Sequence, residues 1–112
     1  MNKYAIGMKG QKIAEEYLIK QNMKIISHNY RTRHGEIDLI ALDGEYIVFI
    51  EVKYRSSLKY GSPAESVGFY KQQKIIKVAQ YYLYKNGKNN SDIRFDVIEV
   101  LDEKINHIKN AF

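Results

Sequence analysis

The stretch Gly35-Glu36-Ile37-Asp38-Leu39-Ile40-Ala41-Leu42-Asp43-Gly44-Glu45-Tyr46-Ile47-Val48-Phe49-Ile50-Glu51-Val52-Lys53 decides how this chain folds. Two runs rich in Ile, Leu, Val and aromatic residues flank Asp43-Gly44, a dipeptide that favours the backbone angles of a tight hairpin. Glu36 to Leu42 and Tyr46 to Tyr54 are therefore predicted as strands, the second the more deeply buried. Just upstream, Lys24 to Tyr30 has a similar composition and reads as a third.

Helical patterns surround these strands. Ile6, Ala14, Tyr17 and Leu18 mark one side of an amphipathic helix from about Tyr4 to Gln21, with Gly7 and Gly10 on that side to permit close packing. Ser56 to Ser62 reads as a polar loop. Ser62-Pro63-Ala64-Glu65 then fits a helix start, with Ser as cap, Pro at the first position and Glu three residues after the cap. Gly68 interrupts that helix, and from Phe69 to Lys85 the spacing of Ile75, Ile76, Ala79 and Leu83 is helical until Asn86-Gly87. Ile93 to Leu101 is a further strand and Lys104 to Ile108 a short edge strand. The order helix, three strands, helix, strand predicts an α/β fold with a mixed central sheet flanked by helices, in one domain, 1-112.

Composition narrows the function. With 112 residues there is room for one hydrophobic core, which excludes a multidomain enzyme. The absence of Cys excludes disulfides and thiolate chemistry, and His28, His34 and His107 are too scattered for a His-rich metal site. A metal here would be oxygen-ligated, Mg2+ or Mn2+ rather than zinc. No apolar run approaches the roughly 18 residues of a membrane span, and the N-terminus has no signal-peptide core, so a cytoplasmic protein is expected. A net charge of +5 with ten Tyr suits nucleic acid as partner, although that charge is common on small proteins.

Asp38 lies between Ile37 and Leu39, and Glu51 between Ile50 and Val52. A carboxylate inside a core-like strand is costly unless it is paired, hydrogen-bonded or bound to a cation. A two-residue turn at Asp43-Gly44 would set Glu36 opposite Glu51 and make Asp38 and Glu51 diagonal neighbours. A four-residue loop would set Asp38 directly opposite Glu51, and a three-residue loop without a bulge would separate them onto opposite faces. Lys53 shares the face of Glu51, as does Arg55 if the strand continues. Two carboxylates and an ammonium so placed suit metal-assisted phosphodiester hydrolysis, the acids holding the ion and Lys53 orienting the nucleophile. The alternative is an ordinary ion pair of Glu51 with Lys53 or Arg55.

Gly35-Glu36-Ile37-Asp38-Leu39-Ile40 followed by Val48-Phe49-Ile50-Glu51-Val52-Lys53-Tyr54-Arg55 resembles the signature of the bacterial YraN-like family. That family is grouped with the PD-(D/E)xK nucleases, which share the fold of restriction endonucleases and Holliday-junction resolvases. Asn29-Tyr30-Arg31, Gly61-Ser62-Pro63-Ala64-Glu65, Lys71, Ala79 and Arg94-Phe95-Asp96 also fall where the family pattern places such residues. The resemblance implies a restriction endonuclease-like core, Asp38 and Glu51 as metal-binding acids, Lys53 as catalytic lysine, and Mg2+ or Mn2+ as cofactor. It implies action on DNA, branched or flapped forms included and RNA not excluded, in repair or recombination. By analogy with resolvases it also implies a homodimer. Ile37 stands at the superfamily's nominal Pro, as in the family itself. Gln11 departs from the family's usual Gly-Glu at Gly10-Gln11; Gln can ligate through its carbonyl but brings no charge, and Glu15, one turn on, is the candidate substitute.

Further candidates carry two readings each. Glu36 either adds a carboxylate or pairs with Arg31, Arg33 or Arg55. Glu65 fits a capping box, and Gln72, on the apolar side of its helix, either reaches the site or caps a backbone group. Lys71, Lys74, Lys77 and Lys85, with Tyr81, form a stripe on the opposite side that would track phosphates or face solvent. Arg31, Arg33, Arg55, Lys71 and Lys74 are the expected nucleic-acid contacts, with Arg31, Arg33 and His34 in the loop leading to Asp38. Asp96 is expected to pair with Arg94. The leading expectation is a Mg2+-dependent endonuclease; the others are a nucleic-acid-binding module without turnover and a scaffold whose acids form ion pairs.

Overall fold

A computed structural model describes residues 3–55, 67–102 and 104–112, with side chains from residue 7 onward and excepting that of Arg55. The elements run α1 (Lys3–Lys20), β1 (Lys24–Thr32), β2 (Gly35–Asp43), β3 (Tyr46–Arg55), α2 (Phe69–Lys85), β4 (Ile93–Leu101) and β5 (Lys104–Ile108). The predicted polar loop from Ser56 and the Ser62-Pro63-Ala64-Glu65 helix start lie outside the described residues. The five strands form one mixed sheet in sequential order, antiparallel throughout except for β3 and β4. That parallel pair needs a crossover, and α2 lies within it.

Each sheet face has its own core. Ile37, Ile40, Phe49 and Val97 pack with Ile75, Val78, Ala79 and Leu83 of α2. On the other face Leu39, Ala41, Val48, Ile50, Ile98 and Val100 pack with Ala14 and Leu18 of α1. Being covered on both sides, β2 and β3 are nearly continuous apolar runs, and an acid within them is conspicuous.

Both helices stop in the same way. Asn22 and Gly87 take φ of +65° and +63°. Beyond them the Met23 N–H donates to Leu18 O at 3.0 Å and the Lys88 N–H to Leu83 O at 2.7 Å, closing the last turns with the six-to-one bond of a Schellman motif.

The hairpin differs from the predicted turn at Asp43-Gly44. Asp43 pairs with Tyr46 and Leu42 with Ile47, so the central residues are Gly44 and Glu45. Gly44 takes the first of these positions with φ +59°, a place where hairpin turns favour glycine. The resulting register is the one expected of the longer loop, in which Asp38 and Glu51 align. The first turn is also tighter than predicted, since β1 extends through Arg31 to Thr32 and only Arg33 and His34 separate it from β2.

The glycines of α1 divide. A Cβ on Gly10 would lie 2.6 Å from the Tyr54 Cβ, so only glycine lets α1 approach β3 this closely. Gly7, expected on the same packing side, meets nothing within 4 Å. Gly10→Ala is therefore expected to destabilise by about 1–3 kcal/mol. Gly7→Ala, in open space, is expected to stabilise by about 0.5–1 kcal/mol. Chemical denaturation of the two variants checks both signs, and a neutral Gly10→Ala would contradict the packing.

Candidate functional site

The β2–β3 ladder runs from Asp43 and Tyr46 to Leu39 and Ile50 and ends there, one pair before Asp38 and Glu51. On the other side of β2, pairing passes from His28 and Leu39 to Tyr30 and Ile37, skipping Asn29 and Asp38. Asn29 has φ +51° in the middle of β1. The facing of β2 slips at the same point: Leu39 and Ala41 belong to the α1 core, whereas Ile40 and Ile37, three residues apart, both belong to the α2 core. The sheet thus parts at Asp38, and the carboxylate takes the place of a ladder acceptor: the Val52 N–H donates to Asp38 Oδ2 at 2.8 Å.

Because it sits in this parting, Asp38 opens to both faces. On the α1 side it lines a cleft of about 440 Å³ with Gly7, Met8, Gln11, Asn29, Arg31 and Glu36. On the α2 side it lines a second of about 440 Å³ with Glu36, Glu51, Tyr70, Lys71 and Lys74. Glu51 is 8% exposed, and its Oε1 lies 2.7 Å from Lys71 Nζ and 3.4 Å from Lys53 Nζ.

Burial and then the Glu51 carboxylate push the Asp38 carboxyl up to about 7, against the opposing pull of the Val52 N–H and Lys71. Burial also lowers the Lys53 ammonium, helped by Lys71 and resisted by Glu51. For Lys71, burial acts against the charge but is outweighed by hydrogen bonds to Glu51 and Lys53 and by both carboxylates, so its pKa is raised. An acid raised and a lysine lowered toward each other beside one cleft mark a candidate chemical site.

The other candidates separate clearly. Gln11 is turned to Asn29 in a reciprocal amide pair, donating at 2.8 Å and accepting at 3.1 Å. Glu15 lies 2.9 Å from His28 Nε2, in an adjoining cleft with Gln11, Lys12 and Ile19 that Asp38 does not line. Glu36 lines both Asp38 clefts and pairs with Arg31 at 3.1 Å. Gln72 donates to Val67 O at 2.9 Å, fastening the chain ahead of α2. Lys74 lies over the Tyr70 ring, 4.6 Å from its centroid, while Arg33 is exposed at the β1–β2 turn. The side chain of Arg55 lies outside the described residues. Lys71 does not belong to an outer stripe with Lys77 and Lys85. It is one helical turn before buried Ile75, on the inward side of α2.

Two contributors are not visible in the local sequence pattern. Glu99, buried on β4, is the register partner of Lys53, a neighbour that only the β3–β4 pairing reveals. Asn29 fixes the Gln11 amide, and its signal, an Asn in a strand of high β propensity, is weak until its positive φ is known. Asp96, by contrast, is a structural acid. Completely buried, it accepts from Arg94 Nε at 2.9 Å and Nη2 at 3.1 Å and from the Asn110 N–H at 3.0 Å, with His107 Nε2 at 2.6 Å.

No group of three or more His, Cys, Asp or Glu suited to a metal occurs among the described residues. The donors at the parting are two carboxylates without nitrogen or sulfur. That set fits Mg2+ or Mn2+, which bind through one or two carboxylates and keep several waters, and it does not fit a closed zinc or calcium cage.

The described residues define a mixed α/β protein whose sheet parts beside two acids and two lysines. The model of the uncharacterised protein family UPF0102 matches residues 10–100, and the chain belongs to that family. It is 54% identical to a UPF0102 protein of Clostridioides difficile over the whole of both chains. It is 48% identical to one from Caldanaerobacter subterraneus, covering all of this chain and 98% of that one. It is 49% identical to one from Thermodesulfovibrio yellowstonii, covering all of this chain and 99% of that one.

The raised Asp38 value fixes the sign of a stability effect. Folding favours the protonated carboxyl, so its contribution is full below about pH 4 and is lost as pH rises through about 7. Asp38→Asn keeps an acceptor for Val52 and removes the charge. In chelator-treated protein it is expected to melt above wild type at pH 8, with the difference shrinking towards pH 5. Thermal unfolding at the two pH values checks this, and an equal or lower melting temperature at pH 8 would contradict it.

Proposed function

We propose that the protein is a metal-dependent endonuclease of the PD-(D/E)xK type, with a restriction endonuclease-like core, that hydrolyses phosphodiester bonds of DNA. The observation that carries this is that Asp38 and Glu51 line one cleft where the β2–β3 pairing ends, with Lys53 Nζ 3.4 Å from Glu51 Oε1. Asp38 and Glu51 are the residues that would hold Mg2+ or Mn2+. When bound, the ion supplies positive charge to the scissile phosphate and makes water more acidic. Lys53, its charge weakened by burial, is placed to hold or orient the attacking water. Lys71, Lys74, Arg31 and Arg33 put positive charge along the clefts that open at Asp38 or beside them, where a phosphate backbone would run. Cutting both strands calls for two copies, so a homodimer on DNA is part of the proposal.

One observation favours a second reading, a DNA-binding module without turnover. The Gln11 amide is neutral and closed onto Asn29, so this position of α1 brings no charge to the acids. Incubation of supercoiled and branched DNA with the protein, with and without Mg2+ or Mn2+, separates the two. The nuclease predicts metal-dependent nicking that falls about 100-fold or more in Asp38→Asn, Glu51→Gln and Lys53→Ala. Salt-sensitive binding with no cleavage in any metal would favour the module, and cleavage at wild-type rate in Lys53→Ala would remove its assigned role.

A further inference from the structure

Glu51 is almost enclosed, and a carboxylate so placed needs a cation. It has two on one oxygen, but they are held differently. Lys53 is on the same strand, its side chain 22% exposed and its backbone locked in register beside Glu99. Lys71 reaches across from α2, is 41% exposed, and makes the closer contact, 2.7 Å against 3.4 Å. Its flexible stem opens into the cleft shared by Asp38, Tyr70 and Lys74. Of the two ammonium groups, Lys71 is the one free to leave.

We propose that Lys71 is an exchangeable counter-ion: its ammonium neutralises Glu51 in the metal-free protein and yields that carboxylate when a divalent cation binds. This rests on the metal-binding reading of Asp38 and Glu51. A divalent cation on Glu51 would meet the Lys71 charge at close range, so the two compete for the same carboxylate. Once displaced, Lys71 remains in the cleft with Lys74, where its charge is available to a substrate phosphate. The same side chain thus guards the empty acid and joins the phosphate contacts of the loaded site. As a positioning residue, it should act on cation affinity even where no DNA is present.

Titration with Mn2+ alone, followed by the electron paramagnetic resonance of the free ion, tests this without any activity. Lys71→Met, with Lys71→Gln as a second neutral variant, is expected to bind Mn2+ roughly fivefold more tightly or better than wild type. Lys71→Arg keeps the charge and should stay within about twofold. Lys74→Met removes a charge from the same cleft without touching Glu51, and should gain less than about twofold. Thermal unfolding gives an independent readout: Lys71→Met should melt lower than wild type without metal and gain more from the same Mn2+ concentration. Unchanged or weaker Mn2+ binding in both neutral variants, or an equal gain in Lys74→Met, would overturn the proposal while leaving the metal site standing. Failure of wild type and all variants to bind millimolar Mn2+ would overturn the metal site and the exchange together.

Discussion

The bond from the Val52 N–H to Asp38 Oδ2 is the interaction on which the site depends. An interior ladder ordinarily satisfies its amides with backbone carbonyls, and here a side-chain carboxylate does so at the point where the strands part. The substitution opens the sheet, brings Asp38 beside Glu51, and gives one carboxylate access to clefts on both faces. It also leaves a charge where burial disfavours one, which is why the Asp38 carboxyl is lifted to about 7. Local stability is lost at pH values where that carboxyl ionises.

Asp96 shows what the same residue type does when its surroundings are completed. Both acids lie in strands between apolar neighbours. Burial opposes the charge on Asp96 too, but His107, Arg94 and the Asn110 N–H outweigh it, and its pKa is lowered. The network continues from Arg94 to Asp43 at 3.0 Å and from His107 to the Tyr17 hydroxyl at 3.1 Å, tying β4 to the hairpin, to β5 and to α1. Among the described residues Asp38 has one backbone donor, Val52, and two acidic neighbours, Glu51 and Glu36. Supply of donors, rather than burial, separates the carboxylate whose pKa is lowered from the one whose pKa is raised.

Much of this architecture was legible in the chain. Runs rich in Ile, Leu, Val and aromatic residues marked β2 and β3, helical spacing marked α2, and Asn86-Gly87 marked its end, because each signal is local. The acids stood out because charge is rare in strands covered on both faces. The register was not legible: Asp-Gly announces a hairpin, but whether the turn centres on Asp43-Gly44 or Gly44-Glu45 is settled by packing over the whole sheet. Lys71 lay hidden in a stripe of lysines, and only its place four residues before Ile75 distinguished it. Glu99 depended on a parallel pairing with β3 made across the α2 crossover, which no local pattern encodes. Gln11 drew notice by sequence position, yet its partner Asn29 was set by a backbone angle outside the usual range for a strand.

The account turns on whether the parting between β2 and β3 is a cation site. Diffraction from Mn2+-soaked crystals, recorded at the manganese absorption edge, addresses that directly. The account predicts one anomalous peak in contact with both Asp38 and Glu51, with the Lys71 ammonium withdrawn from Glu51. A structure with no peak at these carboxylates and Lys71 still paired to Glu51 would contradict it.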